Sequence, residues 1–142
     1  MGAIDELINK GKLKRAQISF GMVNKEFEAA ELDYLSSMES LEAVNFKWAT
    51  IQAYYAIFHA VRSLLYMNNL REESHMALKL ALKELYIDTE KLPVFVYETL
   101  ERGMELREMA DYKASYSQRG AEKLVAEVKL AIKEIEIFIR KQ

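Results

Sequence analysis

The sequence predicts an all-α, antiparallel up-and-down four-helix bundle with an additional short helix, and three observations predict it. Apolar residues recur three and four apart along most of the chain. No segment alternates with period two over more than a few residues, and the connectors between periodic stretches are short. At 142 residues, 51% of them hydrophobic, the chain reads as one domain (1–142) with a sizeable core and no linker that splits it. Four long helices, one shorter one and an N-terminal turn of helix account for the pattern.

Residues 4 to 10 form a short amphipathic segment, with Ile4, Leu7 and Ile8 on one side and Gly11 as its stop. Lys10, Lys12, Lys14 and Arg15 follow as a basic cluster, read as a solvated face, with phosphate contact as the alternative. From Ser19 to Val44, Phe20, Val23, Phe27, Ala30, Tyr34, Leu35, Met38 and Leu41 hold helical spacing, and Gly21 weakens only the first turn. Asn45 is the expected N-cap of the next helix, which Asn68 and Asn69 end.

That central helix, Trp48 to Tyr66, organises the rest. Ala49, Ala53, Ala56 and Ala60 make a stripe of small residues for close helix approach, and Trp48, Ile51, Phe58, Val61 and Leu65 supply bulk around it. A polar line, Gln52, Tyr55, His59, Arg62 and Tyr66, runs along the same helix, and polar groups among apolar ones need partners. The line has two readings. In one, His59 and Arg62 hydrogen-bond to neighbouring helices as a structural network, with the Tyr hydroxyls at a wet rim. In the other, imidazole, guanidinium and phenol line a groove that holds a phosphate or stacks on a base.

Ser74 caps a third helix ending near Tyr86, with Ala77, Leu78, Ala81, Leu82 and Leu85 inward. Ile87 to Leu92 connects it to a fourth helix, whose first turn takes Pro93, the sole proline. That helix runs to about Tyr112 along Val96, Leu100, Met104, Arg107 and Asp111, a seam that begins apolar and ends charged. Arg107 and Asp111 stand four apart and pair along one face. Lys113 to Ser117 is a polar turn. Ser117 or Gln118 opens the last helix, which buries Leu124, Val128, Ala131, Ile132, Ile135 and Phe138.

Composition narrows the function classes. The formal net charge of −2, from 20 basic and 22 acidic side chains, carries no chain-wide basic signal, so any phosphate binding is local. With no cysteine and only His59 and His75 as imidazoles, no spaced ligand motif is visible; no metal and no cofactor are assigned. The first ten residues, MGAIDELINK, carry Asp5 and Glu6 where a secretory signal needs an apolar run. Gln52, His59 and Arg62 interrupt the one long apolar stretch, which argues against a membrane span. A cytoplasmic protein is the expectation.

Two stretches, AYYAIFHAVRSLL at 53–65 and LREMADY at 106–112, together resemble the HEPN domain family, in its small stand-alone prokaryotic group. The resemblance spans nearly the whole chain, including the His75 position after the central helix. It implies a five-helix domain with an up-and-down four-helix core, usually a homodimer. It further implies RNA or nucleotide chemistry and, for many members, a small nucleotidyltransferase encoded alongside as a toxin–antitoxin pair. The family's ribonucleases carry an Arg-x4-6-His motif; two copies meet across the dimer, where Arg binds the scissile phosphate and His serves as acid or base.

This chain departs from that pattern. The motif positions after Arg107 are Tyr112, Lys113 and Ala114, none of them His, and Arg71 and His75 stand one residue too close. By resemblance, Arg107, Asp111 and Tyr112 occupy the motif region. His59 is the candidate substitute base, since imidazole suits proton transfer near neutral pH. Tyr112 is suited to stacking on a base or accepting a nucleotidyl group, and in related toxins a Tyr just after the motif is a modification target, which singles out Tyr112 and Tyr116. The expected binding set is Arg62, Arg107, Tyr112 and Tyr55; the expected catalytic set is Arg107, Asp111, Tyr112 and His59. Binding of RNA or a nucleotide comes first in this reading and metal-independent RNA cleavage by a degenerate site second. A non-catalytic protein-interaction or scaffold module is the alternative.

Overall fold

Local sequence signals account for where each helix begins. The computed structural model describes residues 2–142 and contains, in order, α1 (Ala3–Asn9), β1 (Leu13–Arg15), α2 (Phe20–Glu42), α3 (Phe46–Tyr66), β2 (Leu70–Glu72), α4 (His75–Leu82), α5 (Val94–Tyr112) and α6 (Gln118–Arg140). Ser19, Asn45, Ser74 and Ser117 each cap a helix by accepting a hydrogen bond from the backbone N–H three residues on, which satisfies one otherwise orphaned donor. Pro93 stands immediately before the first residue of α5, where its missing N–H costs nothing.

The four long helices α2, α3, α5 and α6 form the antiparallel bundle, with α3 against all three others. All four alanines of its stripe are fully buried, and Ile57, Val61, Leu64 and Leu65 beside them expose nothing. Each such aliphatic side chain contributes about 2 kcal/mol when removed from water. Trp48 departs from its expected place: at the first turn of α3 it is 48% exposed, because the bundle has no neighbour there to cover it. Leu35 and Met38, on the expected inner stripe of α2, are exposed as well.

Two further features differ from the sequence reading. The basic cluster contributes a short strand: β1 pairs antiparallel with β2, Leu13 opposite Glu72 and Arg15 opposite Leu70. Leu13 and Leu70 point into the core while Lys14 and Arg71 face out, and Lys14 meets Glu73 at 3.4 Å. Asn69, at φ 56, turns the chain from α3 into β2, and its side-chain oxygen accepts a hydrogen bond from the Ile18 amide. The third helix is also shorter than expected as an α-helix: α4 stops at Leu82 and a single π turn covers Lys83–Ile87. That wider turn carries Tyr86 into the core, where its hydroxyl donates to the Leu64 carbonyl. No helix among the described residues is long and apolar enough to cross a membrane.

Candidate functional site

The polar line on α3 divides into two clusters. On the α2 side, Arg62 lies between Glu72 of β2, at 2.6 Å, and Glu26 of α2, at 3.2 Å. His59, one turn earlier, shares Glu26 through Nδ1 and lies 3.5 Å from Asp33 through Nε2. Burial pushes the Glu26 carboxyl up, but its hydrogen bond to His59 and the Arg62 guanidinium outweigh that and hold it below the ordinary value. Asp33 is pushed up by burial. Gln52 lies on the same face, against Ser40.

On the α5 side, Arg107 reaches across to α3. Its Nη2 donates to the Tyr55 hydroxyl at 3.0 Å and lies 3.5 Å from Asp111, the partner its spacing suggested. The guanidinium carbon is 5.9, 5.5 and 5.3 Å from the ring centres of Tyr54, Tyr55 and Tyr112, so three phenol rings surround one cation. Arg107 is mostly buried, Asp111 sits at the rim, and Tyr112, 70% exposed, forms the outer wall. Tyr116 is exposed further along the turn.

Two residues outside the expected set join this cluster. Tyr54 is fully buried, and its hydroxyl is hydrogen-bonded to His75 Nδ1 at 2.5 Å. The imidazole, first residue of α4, also packs on Phe58 with ring centres 4.7 Å apart. β2 and the Ser74 cap fix it there: the ladder ends at Glu72 and the cap starts α4 two residues later. Burial lowers the His75 pKa, the Arg107 charge lowers it further, and the positive end of α4 acts in the same direction. Gly103, one turn before Arg107 on α5, makes the approach possible: a Cβ there would lie 3.2 Å from the Tyr54 ring.

An open cavity of about 230 Å³ lies at this junction, lined by Tyr54, His75, Met104, Arg107 and Glu108. A larger cleft, about 500 Å³, opens among Ile18, Phe20, Val23, Tyr66, Met67, Asn69 and Gln142, but no charged side chain lines it. The structure therefore brings Arg107, Asp111, Tyr112 and Tyr55 together and places His59 and Arg62 outside the cavity, facing α2 and β2. Within the cluster, Arg107 Nε is buried with no hydrogen-bond partner, and among the described residues Nη1 forms no hydrogen bond and is not sealed from solvent. A guanidinium offers five N–H donors and no acceptor, so this one retains donors for an anion. Among the described residues no group of three or more acidic or imidazole side chains converges in a way that would hold a metal ion.

Sequence reasoning missed His75 as a neighbour of Arg107 because it measured motif spacing along one helix. The usable signal was its place directly after the Ser74 cap, which fixes its direction. A family model described as the HEPN domain matches residues 23–140, a span that holds α3, α4, α5 and both clusters. No curated protein matches the chain.

Proposed function

The chain belongs to the HEPN domain family, and from that premise we propose that it binds RNA or a nucleotide at the Arg107 cavity, with the guanidinium as the phosphate contact. One observation carries the reading: Arg107 is fixed in a cage of three phenols, the one carboxylate within ion-pair distance of it among the described residues is that of Asp111 at the rim, at 3.5 Å, and its guanidinium lines an open cavity. Tyr112 and Tyr55 hold the guanidinium in orientation, and exposed Tyr112 offers a stacking face for a base. His59 and Arg62, each already engaged by carboxylates, hold the frame in this reading.

The proposal extends to assembly. Exposed Leu32, Leu35 and Met38 on α2 and Leu130 and Ile137 on α6 support docking of a second chain. A homodimer follows from the family's habit, as does a small nucleotidyltransferase partner in a cytoplasmic toxin–antitoxin-like pair. The same apolar residues favour the second reading, a protein-interaction module without ligand. Fluorescence anisotropy with a short single-stranded RNA, and competition by AMP, separates the two. Arg107→Ala is expected to weaken binding by tenfold or more while circular dichroism stays unchanged. Full affinity in the mutant would refute the assignment.

A further inference from the structure

Tyr54 and His75 determine which face of the imidazole is available. The Tyr54 hydroxyl is fully buried, and burial raises its pKa well above that of an ordinary phenol, so it keeps its proton. A buried O–H without an acceptor costs roughly 1–3 kcal/mol, and the acceptor within reach is His75 Nδ1. With Nδ1 accepting, the neutral ring carries its own proton on Nε2. That atom makes no hydrogen bond within the described chain and is not sealed from water, and the cavity that His75 lines is the one shared with Arg107.

We propose that His75 is the second half of the phosphate contact: its Nε2–H and the free Nη1 of Arg107 form a two-donor site for the oxygens of one phosphate in a nucleotide chain. The imidazole acts here as a neutral donor and not as a base. This rests on the Arg107 reading and adds a residue to it that lies on another helix. The charged and titratable groups around the ring agree with a neutral state. Burial, Arg107 from α5 and Arg62 from α3 disfavour the imidazolium and outweigh Glu72 of β2, which favours it but is paired with Arg62; Glu108, exposed in the wall of the same cavity, is the carboxylate that works the other way. A monoanionic phosphodiester suits one cation and one neutral donor, with a carboxylate nearby, better than a dianion does.

The test compares wild type, His75→Gln, His75→Phe and Arg107→Ala in anisotropy with a short single-stranded RNA at fixed salt, each first shown to be folded by circular dichroism. Glutamine places an amide N–H near the position of Nε2, so His75→Gln should bind within about twofold of wild type and His75→Phe about tenfold more weakly. Wild-type affinity should stay flat between about pH 6.5 and 8.5, where the diesters of RNA do not titrate. Loss in His75→Gln equal to that in His75→Phe would overturn the proposal. So would affinity that climbs with acid through that window, or RNA cleavage by wild type that His75→Gln abolishes. Inorganic phosphate competing as well as AMP would overturn the nucleotide assignment. If Arg107→Ala alone loses binding, only the His75 assignment fails; if Arg107→Ala binds as wild type does, the parent reading fails with it.

Discussion

Two polar clusters grow from one helix, with the Phe58 ring between them, touching His75 on one side and the Arg62 guanidinium, 4.6 Å from its centre, on the other. Each is built on a mostly buried arginine reaching to a neighbouring element. Arg62 meets two carboxylates from two different elements, one of them 5% exposed. Arg107 meets three aromatic rings, one phenol hydroxyl and a rim carboxylate at longer range. The first arrangement matches charge with charge; the second confines a cation without matching it. Each cluster leaves one buried polar atom without a hydrogen-bond partner, Glu72 Oε1 in the first and Arg107 Nε in the second, so the difference lies in the charge: a buried cation paired with carboxylates serves the fold, whereas a confined cation beside a cavity is equipped for an anionic ligand.

The largest effect that would break this contrast lies on the Arg62 side. Arg62→Ala leaves Glu72 buried without a counter-charge, and urea unfolding is expected to show a loss of about 3 kcal/mol. A loss under about 1 kcal/mol would place Arg62 among weak surface pairs. Removing both partners, as Arg62→Ala with Glu72→Ala, should restore part of the loss.

Acid sharpens the comparison, because the clusters lose stability in different windows. His75 has a folded pKa below its ordinary 6.5, so the unfolded chain takes up the proton first, and stability falls as pH drops below about 6.5. Glu26 has a folded pKa below its ordinary 4.5. Its contribution is full above that value and is lost as pH falls through the lower, folded one; Asp33, raised by burial, works against it. Thermal melts across pH should show His75→Gln removing the upper part of the decline and Glu26→Gln the lower part. A decline that neither substitution alters would contradict both assignments.

The smallest effect concerns the joint that brings α5 to α3. Gly103→Ala sets a methyl 3.2 Å from the Tyr54 ring, which its bond to His75 holds in place. The gain in helix propensity, about 1 kcal/mol, is offset by crowding of a similar or larger size. A net destabilisation of roughly 1 kcal/mol is expected, with weaker RNA binding as Arg107 is displaced. Stabilisation by the alanine would show that Tyr54 is free to move.

What was legible in the sequence was what depends on neighbours three or four residues away. The caps at Asn45, Ser74 and Ser117, the alanine stripe and the Arg107–Asp111 spacing all follow from helical geometry within one segment. The β1–β2 ladder was not legible, since three residues per strand are too few to show alternation and the pairing of Leu13 with Glu72 is long-range. Trp48 was misplaced because the spacing that marks a buried position says nothing about whether a neighbouring helix extends that far. His75 escaped for a related reason: its approach to Arg107 is made by β2, the Ser74 cap and Gly103 together, none of which lies in the motif.

The most direct test of the contrast puts Arg62→Ala and Arg107→Ala side by side in urea unfolding and in RNA anisotropy. Arg62→Ala should lose about 3 kcal/mol of stability and, while folded, bind RNA within about twofold of wild type. Arg107→Ala should stay within about 1 kcal/mol of wild-type stability and lose binding by tenfold or more. If Arg107→Ala instead unfolds as readily as Arg62→Ala and its folded fraction binds normally, Arg107 is a structural residue and the two clusters do the same job.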